Sequence, residues 1–438
     1  MDANLPERFG IAVVGGGAAG HAAAIAAAHA LDGRTSTAIL ERAPRVGRKL
    51  LATGNGRCNI THLHAGIDRY HGTDPEFVRP ALAAYPPTGV MAFFDGIGVP
   101  CRAEPDGRVY PYGAQASAVQ DALRLEAVRR GVLTVCGFDV ASIVRREPIL
   151  LGDQPLRPDH PFEVTAQDGR SIRADAVILA TGGPAGPQLG GTDAGYTLLR
   201  ALGHSCVRPI PSIVQIMTEK DLVKSLSGIR VEGVATLVAD GRAVRAESGE
   251  ILFTDYGLSG PPLLQLGGTA SRILAGRREA GDNLEISLDF FPDMELGELA
   301  ESLESRAERL TGVTGADFLS GMLNKRVGQA VVKAALGIRP SDPIGSLARG
   351  PARRLAEAIK GTRVRVTGVH GWREAQVTAG GVRTSEFDAR TMESLIVPGL
   401  YACGELLDID GDCGGYNLQW AWCSGMTAGN AAAGGIRR

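Results

Sequence analysis

FGIAVVGGGAAGHAAAIAAAHALDGRTSTAILERAP, residues 9–44, decides the fold. Residues 11–14, IAVV, are apolar and mostly β-branched, the pattern of a short buried strand. Gly15, Gly17 and Gly20 follow in G-x-G-x-x-G spacing and open an alanine-rich helix. A second strand, STAILE, ends at Glu41, 21 positions beyond Gly20. Each part has a physical reason. Gly15 permits the tight turn, Gly17 has no Cβ to keep the backbone from a diphosphate, and Gly20 lets helix and strand lie close. The first helical residues, Ala18 and Ala19, lie where free N–H groups and the positive end of the helix dipole face that diphosphate. Glu41, with Arg42 beside it, stands where a carboxylate accepts hydrogen bonds from an adenosine ribose. The motif predicts a dinucleotide site and does not separate NAD from FAD.

Two further stretches bear on that choice. RVGRKLLATGNGRCNITH, residues 45–62, carries Lys49 and then a loop with Gly54, Gly56, Arg57, Cys58 and Asn59. Small residues around Arg57 and Asn59 suit a loop lying against a flat ligand. Arg57 is placed to offset phosphate charge or to meet a ring carbonyl; an ordinary polar loop with a surface arginine is the competing reading. SIRADAVILATGG, residues 171–183, runs an apolar strand into Ala180, Thr181, Gly182 and Gly183. Such a turn brings backbone close to a cofactor docked on the first motif. Upstream, residues 137–140 with Val140 offer backbone groups to an adenine ring.

The C-terminal stretch, IVPGLYACGELLDIDG and then DCGGYNLQWAWCSGMTAG, is rich in aromatic, amide and glycine residues where many chains fray. Gly404 and Glu405 end a strand, with Glu405 set to bond a ribityl or diphosphate-side hydroxyl. Gly414 and Gly415 lead into a helix whose open N–H groups would stabilise negative charge at N1 and O2 of a reduced flavin. Tyr416, Asn417, Leu418 and Gln419 are the candidate contacts, and Trp420 and Trp422 the packing behind them. Three such widely separated elements converge in a discontinuous nucleotide-binding domain of the two-dinucleotide-binding-domain flavoprotein type. A nicotinamide enzyme does not need the strand–TGG turn and the terminal GE strand together.

Composition removes several classes. A chain of 438 residues is too long for one ordinary core. Net charge is −2, which argues against a charge-driven nucleic-acid or membrane surface. Seven cysteines without a CxxC pair argue against a disulfide framework or structural zinc. The first residues, MDANLPERFG, lack a basic region followed by an apolar run, so a cytoplasmic setting is expected. No metal site is expected.

The sequence resembles the aminoacetone-oxidase-like FAD-binding enzymes, which include the BaiN/YhiN-type flavoproteins. The resemblance is carried by GGGAAG at 15–20, GRKLLATGNGRCNIT at 47–61, ATGG at 180–183, GEILFTDYGLSGPPLL at 249–264, VTAGGV at 377–382, TMES at 391–394 and the 398–425 stretch. It implies FAD, an oxidoreductase, and a domain inserted between two halves of the FAD domain. His62 departs from it, standing where asparagine is common. Residues 146–161 read as a polar, proline-rich excursion in a hairpin. The expected architecture is α/β: a discontinuous Rossmann-like FAD domain at 1–200 and 363–438, an inserted β-rich domain at 201–295 and a small helical domain at 296–362.

The expected chemistry is hydride transfer between a small organic substrate and flavin N5. An amine or aminoketone oxidase using oxygen comes first. An NAD(P)H-dependent enone reductase is the alternative, and a non-enzymatic flavin redox sensor the third. No second complete G-x-G-x-x-G unit is present for a dedicated nicotinamide domain. No catalytic base is assigned. His204 and His370 read as structural or exposed. Tyr416 reads equally as a proton-transfer or backbone-fixing residue. Cys58, Cys403 and Cys413 read as small-residue packing.

Overall fold

The structure, a computed structural model, describes residues 5–146, 149–151, 154–156, 160–276, 283–345 and 349–436. The chain forms two compact units, Met1–Ile210 with Gln376–Arg438, and Pro211–Ala375.

The first unit is built on a sheet whose central strands are buried almost throughout: β1 (Arg8–Val14), β2 (Thr37–Glu41) and β3 (Ser171–Leu179). Near-continuous apolar runs are what parallel strands covered on both faces require. The spatial order is Leu133–Cys136, β2, β1, β3, Phe162–Ala166, Val140–Arg145. The first four run parallel, Phe162–Ala166 runs antiparallel to β3, and Val140–Arg145, antiparallel to Phe162–Ala166, points the same way as the first four. β3 is nine residues long and its outer edge is shared. Its first half pairs with Phe162–Ala166 and its last three residues with Leu400–Ala402, in parallel. Val14 lies beside Leu179, and Leu179 beside Ala402. Three strands distant in sequence therefore end level, and open parallel sheets bind ligands outside those carboxyl ends.

Two helices cover this edge. α1 (Ala18–Leu31) is buried nearly all round. α2 (Tyr416–Ile436) lies along it through glycines one turn apart. A Cβ on Gly425 would stand 2.4 Å from Ala19 O, and one on Gly429 2.2 Å from Ala23 O. Alanines on one helix and glycines on the other let the two backbones touch, which explains the alanine run of the opening motif. Trp420 and Trp422 are 1% and 0% exposed, so this terminal segment is part of the core.

The second unit is a closed six-stranded antiparallel barrel. Its strands are, in order around it, Ile216–Thr218, Gly257–Ser259, Arg242–Phe253, Arg230–Ala239, Leu284–Asp289 and Thr362–Val369. Leu284–Asp289 alternates buried and half-buried residues, the period of a barrel wall. The segments expected to form a helical domain, Leu296–Arg309, Lys325–Leu336 and Arg349–Lys360, pack on this barrel. Leu299, Val331 and Leu355 share one core with Ile251, Ile286 and Leu288. The return to the first unit, expected at residue 363, comes at Gln376. The physical reason is closure: Thr362–Val369 pairs with both Leu284–Asp289 and Ile216–Thr218, and without it the barrel keeps two open edges. The outward crossing, expected near 201, comes at Pro211.

In the excursion at 146–161, Ile149–Leu151 and Gln154–Leu156 pair antiparallel; residues 147–148, 152–153 and 157–159 lie outside the described residues. Among the described residues no helix is long and apolar enough to cross a membrane, and no group of three or more His, Cys, Asp or Glu is placed to hold a metal ion. The cysteines are free thiols.

Candidate cofactor and active site

Gly15 sits at φ +108°, and a Cβ there would lie 2.5 Å from Ala180 O. The turn after β1 therefore presses against the turn after β3. A Cβ on Gly20 would lie 1.9 Å from Gly15 O, so helix and turn are in backbone contact. Gly404, at φ +71°, completes the junction: its Cβ would come 2.9 Å from Ala19 Cβ. The first motif, the ATGG turn and the GE turn thus meet at one edge of the sheet.

Gly17 behaves differently. Its backbone is extended, at φ −84° and ψ −167°, and a Cβ there would meet nothing within 4 Å. Protein packing does not require a glycine here. α1 starts at this point without a side-chain cap, and its first ladder bond is His21 N–H to Gly17 O, 3.0 Å. The N–H groups of Ala18, Ala19 and Gly20 precede that ladder, as at any helix start. An uncapped helix start facing space clear of protein fits a diphosphate. Gly182, at φ +70°, and Gly56, at φ +82°, face similarly clear space.

Glu41 is already engaged. Its Oε2 accepts from Gly16 N–H at 2.9 Å and its Oε1 from Ala43 N–H at 2.8 Å. These bonds fix the carboxylate at the end of β2 and leave lone pairs over. Phe138 N–H donates to Glu41 O, which brings Val140 and its neighbours beside it. Arg42 turns away and donates to Gly190 O at 2.9 Å. Arg57 also has partners of its own. It donates to Glu104 and to Tyr110 OH, both at 3.2 Å, and stacks over the Tyr110 ring at 4.2 Å. The phosphate-offsetting role expected of it finds no support in this geometry.

Lys49 and Glu405, expected to contact the cofactor separately, are paired. Lys49 Nζ lies 2.8 Å from Glu405 Oε2, with side chains 32% and 20% exposed. Glu405 Oε1 also accepts from Thr378 N–H at 2.9 Å, and Thr378 Oγ1 accepts from Ala185 N–H at 3.2 Å. One carboxylate therefore ties the 47–61 loop, the VTAGGV strand and the GE turn together. No local pattern announces a pair 356 positions apart. Close by, a Cβ on Gly183 would meet Thr378 Oγ1 at 2.4 Å and Tyr196 OH at 2.9 Å.

The start of α2 is equally constrained. Gly414 and Gly415 have φ of +126° and +106°, and a Cβ on Gly415 would lie 2.6 Å from Thr61 O. The first ladder bond is Gln419 N–H to Gly415 O at 2.9 Å, so the N–H groups of Tyr416, Asn417 and Leu418 precede it. The two amides prove to be braces. Asn417 accepts from Gly411 N–H and donates to Gly411 O, both at 2.8 Å. Gln419 accepts from Thr61 Oγ1 at 2.6 Å and donates to Tyr85 O at 2.7 Å. Both are spent on the protein, because a buried amide without partners costs about 1–3 kcal/mol. Trp420 Nε1–H donates to Gly404 O at 3.0 Å and Trp422 Nε1–H to Ile60 O at 2.9 Å. The tryptophans pin both neighbouring motifs to α2.

Asn59 is the exception. It is 8% exposed, and its Oδ1 is buried without a partner. A Cβ on Gly415 would lie 2.8 Å from that oxygen, which puts an unspent acceptor at the opening of α2. Tyr416 stacks on His62 at 4.6 Å, and its carbonyl accepts from Tyr70 OH at 3.0 Å. Burial, reinforced by His64, lowers the His62 pKa. Burial pushes the thiols of Cys58 and Cys403 up to about 12, so neither supplies a thiolate at neutral pH. Cys58 has φ +60° and is a packing residue.

His204 is a structural pin. Its Nδ1 is 2.9 Å from Glu386 Oε2 and its Nε2 2.9 Å from Ser394 Oγ. Ser394 Oγ in turn accepts from Ile396 and Val397 N–H, holding the loop that leads into Leu400–Ala402. A cavity of about 450 Å³ lined by Asp175, Gly399, Tyr401 and Gly435 lies toward the amino-terminal ends of β3 and Leu400–Ala402. It is away from the edge just described.

Residues 9–431 match the HI0933-like protein Rossmann domain family. The chain belongs to that family. It is 38% identical over 425 residues to the 3-dehydro-bile acid delta(4,6)-reductase of Clostridium scindens, covering 97% of this chain and 98% of the relative. It is 30% identical to the ribosomal RNA dihydrouridine synthase of Escherichia coli, covering 95% and 96%. The fold is shared with the 3-ketosteroid delta1-dehydrogenase of Sterolibacterium denitrificans, at TM-score 0.51 and 13% identity over 98% of this chain and 100% of that one. The family member is an enzyme, an FAD-dependent oxidoreductase with a Rossmann-type α/β fold and an additional β unit.

Proposed function

We propose that this protein reduces a carbon–carbon double bond conjugated to a ketone in a small organic substrate, with electrons from NAD(P)H. The observation that carries the reading is the 38% identity, over nearly the full length of both chains, to a reductase acting on a dehydro-bile acid. It promotes the second of the sequence-based expectations over the amine oxidase. The relative named a ribosomal RNA enzyme is more distant. A formal charge of −2 also favours a small substrate over a phosphate backbone.

The clear space at Gly17 and the unpartnered Asn59 Oδ1 support the following assignment of residues to FAD. The N–H groups of Ala18, Ala19 and Gly20 take the diphosphate, with Gly17 leaving room for it. Glu41 takes the ribose and Val140 flanks the adenine. Asn59 Oδ1, Gly415 and the opening N–H groups of α2 take the polar edge of the ring system, with Tyr416 beside them. The Lys49–Glu405 pair holds the turn from which Gly404 and Glu405 face the ribityl chain. When bound, FAD supplies the atom that accepts and delivers hydride. The chain's own work is orientation, exclusion of water, and fixed dipoles for the charge that develops on the ring.

The test follows flavin absorbance anaerobically. NADH or NADPH is expected to bleach it, a 3-oxo-4-ene steroid to restore it with a saturated product, and oxygen to restore it slowly. Rapid bleaching by amines with peroxide formation, and none by NAD(P)H, would refute the proposal.

A further inference from the structure

The opening of α2 sets one acceptor beside a row of donors. Asn59 is 8% exposed, and its Oδ1 is buried without a hydrogen-bond partner. The backbone on either side of it is pinned. Cys58 N–H donates to Thr53 O at 3.0 Å and Ile60 N–H to Val109 O at 2.8 Å, while Ile60 O accepts from Trp422 Nε1–H at 2.9 Å. A Cβ on Gly415 would lie 2.8 Å from Asn59 Oδ1 and 2.6 Å from Thr61 O, so glycine is what lets α2 begin this close to the loop. The N–H groups of Tyr416, Asn417 and Leu418 precede the ladder, whose first bond is Gln419 N–H to Gly415 O. An oxygen here, not the amide nitrogen, is what the positive end of the helix favours. The other amides of this turn, Asn417 and Gln419, are committed to protein groups. Native interiors satisfy nearly all buried polar atoms. A pinned acceptor left over beside helix N–H groups calls for a ligand that brings an N–H with a carbonyl oxygen next to it.

We infer that Asn59 is the positioning residue of the flavin ring, its Oδ1 accepting the N3–H of the isoalloxazine while the opening N–H groups of α2 donate to the carbonyl oxygen beside N3; this rests on the placement of FAD above. The chemistry of the ring selects the atom. The oxidised isoalloxazine has a single N–H, at N3, and it stands between the two carbonyl oxygens. An acceptor at the ring edge has no other ring proton to take. A contact at N5 would leave Oδ1 unpaired whenever the ring is oxidised, and a buried acceptor without a partner costs about 1–3 kcal/mol. The pairing also fixes where charge gathers. A carbonyl oxygen facing N3 opposes loss of that proton, so negative charge on the reduced ring collects on the side facing the helix N–H groups, which favour it. Asn59 thereby sets both the direction of the ring and the protonation of its N3.

The test reads the cofactor in oxidised holoenzyme, without substrate or turnover. N3-methyl-FAD, which lacks the proton in question, is added in increasing amounts to the wild-type holoenzyme, and the fraction of FAD displaced gives the ratio of the two affinities. Wild type is expected to prefer FAD about tenfold or more, one hydrogen bond's worth. This arm needs no variant, so a misfolded mutant cannot decide it. In Asn59→Ala the preference is expected to shrink toward one, and in Asn59→Asp, which keeps an acceptor, to persist. A second measurement follows the absorbance of the bound oxidised flavin as pH is raised through loss of the N3 proton. That loss is expected at lower pH in Asn59→Ala than in wild type, a difference that a merely structural asparagine would not produce. If wild type takes N3-methyl-FAD as readily as FAD, and both proteins lose the N3 proton at the same pH, this assignment falls and the placement of FAD stands. If wild type binds no flavin, both fall together.

Discussion

Gly17→Val separates a glycine kept for a ligand from one kept for the fold. At Gly17 the backbone is extended and a Cβ meets nothing within 4 Å. The apoprotein should therefore accept a side chain. Replacing glycine at a helix N-cap costs about 0.5–1 kcal/mol, and stiffening the unfolded chain returns about 0.4–1 kcal/mol. The stability of the apoprotein should move by less than about 1 kcal/mol. FAD is another matter. A valine here projects into the space assigned to the diphosphate and holds it off the N–H groups of α1. Charge-assisted hydrogen bonds contribute about 1.5–3 kcal/mol each, so losing two costs about 3–6 kcal/mol. At about 1.4 kcal/mol per tenfold, FAD should bind about 100- to 10,000-fold more weakly. The assay compares the flavin-to-protein absorbance ratio after purification, the Kd for added FAD, and the urea midpoint of both apoproteins. Gly20→Ala is the control. Its Cβ would stand 1.9 Å from the Gly15 carbonyl, so that variant should lose apoprotein stability as well. A Gly17→Val protein that purifies with stoichiometric flavin would refute the placement of the diphosphate.

Further outcomes can be checked alongside. Gly425→Val puts side-chain atoms against the Ala19 carbonyl, 2.4 Å from the first of them. It should destabilise the apoprotein by about 1–3 kcal/mol or more in urea titration; an unchanged midpoint would mean the two helices are not in contact. Lys49→Met and Glu405→Gln, combined in a double-mutant cycle, should show a coupling of about 0.5–1 kcal/mol, kept small because both side chains are partly solvated; zero coupling would make the pair incidental. Burial lowers the His204 pKa from 6.5 despite its Glu386 partner. The folded state therefore resists protonation, and this contribution is present above about pH 6.5 and is lost as pH falls below it. Glu386 acts in the same direction. Burial alone would raise its pKa, but bonds from Ser205 and His204 bring it below 4.5, so its contribution is lost as pH falls below that value. The urea midpoint should thus fall with acidification, and the portion beginning near pH 6.5 should shrink in His204→Gln. An identical pH profile in that variant would remove His204 from the account.

The first 44 residues were readable because every requirement in them is local. A β-branched run, glycines at set spacing, an alanine helix and an acidic residue at the end of the next strand each act within a few residues of their neighbours. The ATGG and GE turns were legible for the same reason, as apolar strands running into glycines. Where those pieces meet was not local. Leu400–Ala402 finds its place because the outer edge of β3 is free beyond Phe162–Ala166, which only the assembled sheet reveals. Thr362–Val369 reads as a strand in either unit, and barrel closure decides which. Side-chain assignment shows the same division. Asn417, Gln419 and Arg57 carry the right groups to contact a cofactor, yet packing commits them to backbone and side-chain partners first. Asn59, Gln215 and His370 look no different in sequence, and packing leaves one atom of each unspent. Residue type states what a side chain is able to bond. Which bonds remain for a ligand depends on the partners that folding has already supplied.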